Sequence, residues 1–162
     1  MVRLPAAEAV TEERAIGDRP APDPADLTPA NVATPLRILV VDDVEDAADS
    51  LADFLRLQGD TVHVARDGRA ALELAEEIGP EVVFVDLQMP EIDGLEVARR
   101  LRGRGELPRT LLVAVTGLGQ AENRRQTAEA GFDHHLTKPL DPAQVQALLA
   151  MRRGKDRRSG IA

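Results

Sequence analysis

Short apolar runs that do not alternate with polar residues constrain this fold more than any other feature. They occupy residues 36–41, 82–85 and 110–115 and are rich in Val and Leu. Runs of this length without alternation are typical of strands buried on both faces, as in a parallel sheet. The first two runs stop at Asp residues and the third at a Thr-Gly pair. We therefore expect polar side chains at the carboxyl ends of these strands.

Helical segments alternate with the strands along the chain. The fourth helix has a weak apolar face, with Ala121 and Ala128 as its main anchors, and Asp141-Pro142 is a strong start for the fifth. Strand and helix alternate five times, which predicts βαβ units and a doubly wound α/β fold with a five-stranded parallel sheet. The helices are expected over 46–58, 67–78, 94–102 and 120–130 and from 141 onward, with two further short strands at 61–64 and 133–137.

The two ends of the chain depart from this pattern. Residues 1–35 are rich in Pro and Ala, and we expect them to form a disordered or extended arm. Residues 36–151 are expected to form the folded domain, followed by a short, frayed basic tail over 152–162. On this interpretation no output domain follows residue 151.

Composition argues against several classes of protein. The formal net charge is −8 and there is no Trp or Tyr, which disfavours a nucleic-acid binder. The absence of Cys excludes disulfides and Cys-based metal sites. No stretch is long and apolar enough to span a membrane, and residues 1–20 contain no secretory signal. We expect a cytoplasmic protein with neither nucleic acid nor a membrane among its partners.

Acidic residues follow the first and third strands. If the sheet has the strand order 2-1-3-4-5, these strands are neighbours, and Asp42, Asp43 and Asp86 converge in one crevice. Three carboxylates this close repel one another, so either a proton is retained or a cation binds. An all-oxygen site of this kind suits Mg²⁺, or Mn²⁺ in its place.

Two further polar residues are expected at the same edge of the sheet. Thr116 ends the fourth strand and can donate a hydroxyl hydrogen bond, and Lys138 follows the fifth strand and offers a cation suited to a phosphate. With the acids and a metal, these groups can form and hold an acyl phosphate on Asp86. Each residue alone also fits a polar strand end or a solvated loop, but their coincidence favours phosphoryl chemistry.

Residues 37–151 resemble the receiver domain of two-component response regulators. The resemblance rests on I-L-V-V-D-D at 38–43, V-D-L-Q-M-P-E-I-D-G at 85–94, A-V-T-G at 114–117 and L-T-K-P-L at 136–140. The amino-acid sequence of residues 131–140 is most similar to that of receivers attached to hybrid sensor kinases. The resemblance implies a flavodoxin-like receiver fold with strand order 2-1-3-4-5.

The resemblance also implies a role for each matching position. Asp86 would be the phosphoacceptor, and Asp43 would bind Mg²⁺ directly, with Asp42 binding it directly or through water. The other implied roles are the backbone carbonyl of Gln88 as a metal ligand, Lys138 as the partner of the phosphoryl group, Thr116 and His135 as switch residues, and a cis peptide bond at Pro139. The family commonly has Tyr or Phe where this chain has His135, and imidazole can also become charged near neutral pH.

The implied function is phosphorelay signalling rather than enzyme catalysis, apart from self-catalysed phosphotransfer and dephosphorylation. The chain would accept a phosphoryl group from a histidine kinase or phosphotransfer protein and change a surface that binds an effector protein. That surface is expected on the fourth helix, fifth strand and fifth helix. A homodimer through the fourth and fifth helices is common in the family, but the sequence alone does not decide whether this chain forms one. The alternatives are a phosphate sink or relay intermediate, a scaffold, or a small Mg²⁺-dependent phosphatase. Gln88 argues against the phosphatase, since such enzymes usually carry a second acid there.

Overall fold

The computed structural model describes residues 34–105, 109–117 and 123–159. Within these residues five strands alternate with five helices in the predicted order. None of these helices has both the length and the apolar character needed to cross a bilayer. The elements are β1 Arg37–Val41, α1 Glu45–Leu57, β2 Thr61–Ala65, α2 Gly68–Ile78, β3 Val82–Asp86, α3 Gly94–Gly103, β4 Leu111–Thr116, α4 Asn123–Ala130, β5 His134–Thr137 and α5 Pro142–Ser159.

The strands form one sheet in the order β2-β1-β3-β4-β5, and each neighbouring pair is parallel. This is the predicted flavodoxin-like receiver topology. The strand order places β1 and β3 side by side at the point where the order reverses, and Val41 of β1 lies opposite Val85 of β3. Open α/β sheets bind ligands at the carboxyl end of such a reversal.

Side chains alternate between the two faces of the sheet and build a core on each face. On one face Val83 and Val85 pack with α2, α3 and the end of α4. On the other face Val82 and Phe84 pack with α1 and α5. All five residues of β3 are buried, as expected for a central strand covered by helices on both sides.

Carboxylates at the helix starts fix where three helices begin. Asp67 accepts a hydrogen bond from the Ala70 backbone N–H at the start of α2, and Asp93 accepts one from Glu96 at the start of α3. Asp141 accepts one from the Ala143 N–H at the start of α5. Each bond satisfies a backbone donor that has no partner inside its helix.

The fourth helix differs from the prediction in its buried face. Thr127 and Ala130 are buried, whereas Ala128, an expected anchor, is exposed. Thr127 can be buried because its hydroxyl donates to the Arg124 carbonyl, which satisfies the polar group within the helix. The other expected anchor, Ala121, lies outside the described residues, as do the first three residues predicted for this helix.

The predictions for the two ends of the chain can be compared with the bounds of the described residues and of α5. The predicted arm falls almost entirely on residues 1–33, outside the part of the chain that the structure describes. At the other end α5 continues to Ser159, beyond the predicted domain end at residue 151. Arg153, expected in a frayed tail, forms an ion pair with the buried Asp60 carboxylate.

Candidate functional site

The register of β1 and β3 brings two acidic side chains to the same place. Val41 pairs with Val85, so the next residues along each strand direction, Asp42 and Asp86, lie beside each other. By alternation both lie on the face that α1 and α5 cover, and both are buried, at 6% and 5% exposed. Two neighbouring carboxylates that are almost excluded from water need donors or cations to offset their charge.

In each of these two carboxylates, one oxygen accepts a hydrogen bond from a nearby backbone N–H. One oxygen of Asp42 accepts from the Val44 N–H at 2.9 Å, and one oxygen of Asp86 accepts from the Gln88 N–H at 3.0 Å. Both donors lie two residues after the acid, a local turn geometry common for Asp. The other oxygen of each carboxylate therefore stays available to groups within the crevice.

Lys138 lies between the two remaining carboxylate oxygens. Its Nζ is 3.1 Å from Asp42 Oδ2 and 3.6 Å from Asp86 Oδ2. The residue directly follows β5, and its peptide bond to Pro139 is cis. The structure thus brings Lys138 to the expected edge of the sheet, next to Asp86 and to Asp42, which lies 96 positions earlier in sequence.

Asp43 adds an exposed carboxylate to the same crevice. Asp42, Asp43 and Asp86 each offer a carboxylate oxygen, and these atoms all lie within 4.8 Å of one another. Among the described residues the ion pairs of this cluster are those with Lys138, so three acids face one ammonium. An excess of negative charge on an all-oxygen set fits a hard divalent cation such as Mg²⁺.

The electrostatic environment shifts two of these groups. Burial raises the pKa of the Asp86 carboxyl above its ordinary value; the Gln88 N–H works against this rise, the Asp42 charge adds to it and Lys138 reduces it. Burial alone would lower the pKa of Lys138, but its hydrogen bond to Asp42 and the charge of Asp86 outweigh burial, and the net shift is upward. Lys138 is therefore a firmly held cation next to a carboxylate that is costly to ionise.

The two predicted switch residues contact each other on the opposite face of the sheet. Ala114 of β4 pairs with His135 of β5, so Thr116 lies two residues further along on the same face as His135. Thr116 Oγ1 is 2.8 Å from His135 Nε2, and Thr116 is only 1% exposed. Burial lowers the pKa of the His135 ring, and the positive charge of Arg124 lowers it further.

Sequence reasoning missed the close packing of Gly94 against the end of β3. A Cβ at Gly94 would lie 2.5 Å from the Asp86 carbonyl oxygen and 2.8 Å from Leu87 Cα. The start of α3 therefore rests directly on the backbone that carries Asp86, and only Gly fits there. The Asp-Gly pair at 93–94 was the available signal, but on its own it indicates only the end of a loop.

An apolar cavity opens beside the carboxylates. Its volume is about 360 Å³, and it lies between α1 and α5 with Phe54, Phe84 and Leu140 among its walls. Asp42, Asp86 and Lys138 contribute its polar end. No pattern in the sequence indicated this cavity, because its walls come from five separate segments of the chain.

Comparisons with known proteins show what the chain is similar to. The family model described as the response regulator receiver domain matches residues 38–150. The response regulator MprA of Mycolicibacterium vanbaalenii is 40% identical over 126 residues, which are 77% of this chain and 52% of that protein. The chain thus spans about half the length of this curated relative.

Shorter relatives match over most of their length. An uncharacterised 14.6 kDa protein of Leptolyngbya boryana is 40% identical over 115 residues, which are 69% of this chain and 86% of that protein. The crystal structure of a putative response regulator from Chloroflexus aurantiacus superposes with a TM-score of 0.71 at 26% identity, covering 75% of this chain and 99% of that one.

Proposed function

The chain belongs to the response regulator receiver domain family of two-component signalling, and we propose that Asp86 is its phosphoacceptor. The observation that carries this proposal is the position of Lys138, whose ammonium lies within 3.6 Å of Asp86 and 3.1 Å of Asp42. A carboxylate nucleophile beside a second acid, a fixed cation and room for a metal has the groups needed for phosphoryl transfer.

The phosphoryl donor in this proposal is a phosphohistidine of a histidine kinase or phosphotransfer protein. An oxygen of Asp86 forms a bond to phosphorus while the phosphorus–nitrogen bond of phosphohistidine breaks, and the electron pair of that bond returns to the imidazole. Lys138 is placed to pair with the oxygens of the transferred group, because its Nζ already faces the acceptor carboxylate.

A divalent cation fits the same crevice. Asp42, Asp43 and Asp86, with the backbone carbonyl of Gln88, would hold Mg²⁺ or Mn²⁺. When bound, the ion would offset the carboxylate charge and orient phosphoryl oxygens. The buried Asp42 is held by Val44 N–H and Lys138, while the exposed Asp43 is open to an ion and its water shell.

The output of phosphorylation is proposed to be a change in the surface formed by α4, β5 and α5, which an effector protein or a second copy of the chain would bind. The described side chains of α4 bury only Thr127 and Ala130. A helix with so few buried contacts has low local stability. A small change in interaction energy at Thr116 can therefore shift the balance between conformations of α4.

The test is intact-mass spectrometry with acetyl phosphate as donor. With Mg²⁺ the chain should gain one phosphoryl group, and it should gain none with a chelator or in Asp86→Asn. Asp141→Asn is the matched control, because Asn also caps helices and this acid is exposed at the start of α5. Phosphorylation of Asp86→Asn equal to wild type would refute the assignment.

The lifetime of the acyl phosphate separates two outputs. A long-lived species that alone binds a partner supports a switch. Decay within seconds, with no partner that prefers the phosphorylated chain, supports a phosphate sink or relay intermediate.

A further inference from the structure

The hydroxyl of Thr116 is already engaged by a neighbouring side chain. Its Oγ1 lies 2.8 Å from Nε2 of His135, on the face of the sheet that α4 covers. Asp86 belongs to the other face by strand alternation, with Val82 and Phe84. Thr116 must therefore leave this contact, or stretch it, before its hydroxyl can reach a group on Asp86.

The environment of Nδ1 indicates which nitrogen of the neutral His135 ring carries the hydrogen. Nδ1 is buried and has no hydrogen-bond partner among the described residues. A buried N–H without an acceptor is rarer and costlier than a buried nitrogen lone pair. The hydrogen of the neutral ring accordingly belongs on Nε2, where it can be donated to Thr116 Oγ1.

Burial and charge keep the ring in this neutral form. Burial lowers the pKa of His135, and Arg124 on α4 lowers it further. A second ring proton would place an N–H at Nδ1 with no acceptor in the described surroundings. A Phe ring offers no hydrogen-bond donor, and Tyr offers a phenolic O–H in place of the ring N–H, so this N–H donor is a property of the imidazole.

We propose that His135 is a positioning residue that holds the Thr116 hydroxyl on the α4 side of the sheet through an Nε2–H···Oγ1 hydrogen bond, in competition with a phosphoryl group on Asp86. This inference rests on the proposed function, because the competitor is the acyl phosphate. Since Nε2–H is the donor, the hydroxyl hydrogen of Thr116 stays free, and the residue can donate to a phosphoryl oxygen once it moves. The loss of the His135 bond then opposes the move.

The first test reads the hydrogen bond directly. Nitrogen NMR of the His rings in the full chain at pH 7 should show His135 neutral with its hydrogen on Nε2, and Thr116→Val should shift the Nε2 signal. A ring protonated on Nδ1, a charged ring, or an Nε2 signal that Thr116→Val leaves in place would overturn the proposal.

The second test measures the competition. His135→Phe keeps a ring but removes the donor, so acetyl phosphate should label it roughly fivefold faster than wild type, the change expected for one lost hydrogen bond. His135→Gln places an amide N–H near the Nε2 position and should restore most of the wild-type rate. The matched control is His134→Phe, a half-buried neighbour on the other face of β5, which should label as wild type does.

The coupling of the two residues separates this role from a general effect on packing. In a Thr116→Val background, His135→Phe should change the labelling rate by less than twofold, because the hydroxyl it would release is gone. An equal effect in both backgrounds would overturn the proposal while leaving Asp86 as the acceptor. If no variant and no wild-type chain is labelled on Asp86, the proposed function itself fails.

Discussion

The ionised carboxylate of Asp86 is electrostatically unfavourable in the folded chain. Its carboxylate is 5% exposed and lies beside Asp42, while Lys138 and the Gln88 N–H offset only part of the charge. Burial raises its pKa, so the ionised form is costly in the folded chain. A bound divalent cation would offset this charge, whereas a phosphoryl group would add negative charge to the same crevice, so both change the electrostatic free energy of the site.

This cost predicts that Asp86→Asn stabilises the metal-free protein. Asn keeps the shape and can still accept from the Gln88 N–H, but it removes the buried charge next to Asp42. In chelator we expect the free energy of unfolding to rise by about 1 kcal/mol, measured by urea denaturation at pH 7. Asp43→Asn is the control, because this exposed acid should change stability by less than about 0.5 kcal/mol. A less stable Asp86→Asn would contradict the argument.

The lowered pKa of His135 predicts that the contribution of this residue to the stability of the protein falls as the pH is lowered. Its pKa is lowered in the folded chain, so the unfolded chain binds more protons below the ordinary value of 6.5. The contribution of the neutral ring is complete above pH 6.5 and is lost as pH falls toward the folded pKa. Wild type should therefore lose stability relative to His135→Gln between pH 7.5 and 5.5, measured by paired urea titrations. A difference in stability between the two proteins that does not change with pH would exclude this linkage.

The α3 helix fixes the acceptor strand through one glycine. A Cβ at Gly94 would meet the backbone of Asp86 and Leu87, which cannot yield as a flexible side chain could. Gly94→Ala should cost about 1–3 kcal/mol of stability and slow labelling of Asp86.

Gly103→Ala is the matched control for that prediction. It lies in the same helix, and apart from its chain neighbours and the backbone of its own helix, a Cβ there would have no heavy atom within 4 Å. Since Ala favours helix more than Gly, its stability should equal or exceed that of wild type. Thermal denaturation of the two variants checks the difference, and equal melting temperatures would refute the packing argument.

The α5 helix is anchored by a buried acid at the other end of the sheet. Asp60 Oδ1 accepts from the Leu36 N–H at 3.0 Å and pairs with Arg153, whose side chain is 24% exposed against 0% for Asp60. Arg153→Ala should cost about 3 kcal/mol, because it leaves a buried carboxylate without its cation.

An exposed ion pair provides the comparison for Arg153. Arg125 and Glu129 of α4 are 3.8 Å apart with side chains 90% and 69% exposed, so Arg125→Ala should change stability by less than about 0.5 kcal/mol. Urea denaturation of both variants measures the contrast. A loss below 1 kcal/mol in Arg153→Ala would mean that the end of α5 adds little to the fold.

These elements show what could be predicted from the sequence and what could not. The unbroken apolar runs predicted β1, β3 and β4. The strand order 2-1-3-4-5, which the resemblance implied, then predicted that Asp42 and Asp86 meet. The contact of Gly94 with Asp86, and the pairing of Asp60 with Arg153, depend on where elements pack in space. The buried Thr127 and exposed Ala128 depend on the rotation of a helix whose apolar pattern is too thin to fix it.

In the part of the chain that the structure describes, the two cores leave the reactive groups at the carboxyl edge of the sheet. Both faces of β3 are covered, so packing on both sides opposes a backbone shift that would separate Asp86 from Asp42. The repulsion of Asp86 from Asp42 and Asp43 is therefore part of the free energy of the folded chain and is largely absent from the unfolded chain, where Asp86 is far from both. A cation that binds only the folded crevice must then stabilise the whole domain.

Mg²⁺ should accordingly raise the melting temperature by mass action. At a concentration 100 times its dissociation constant the gain is about 2.7 kcal/mol, provided that the unfolded chain does not bind the ion. Asp43→Asn should lose most of this gain while keeping the melting temperature of the chelated protein, because Asp43 is exposed and supports no core contact. Calorimetric scans across a Mg²⁺ series, with NaCl matched for ionic strength, separate binding from screening. A rise of equal size in Asp43→Asn would place the ion elsewhere, and no rise in wild type would mean that Lys138 alone balances the crevice.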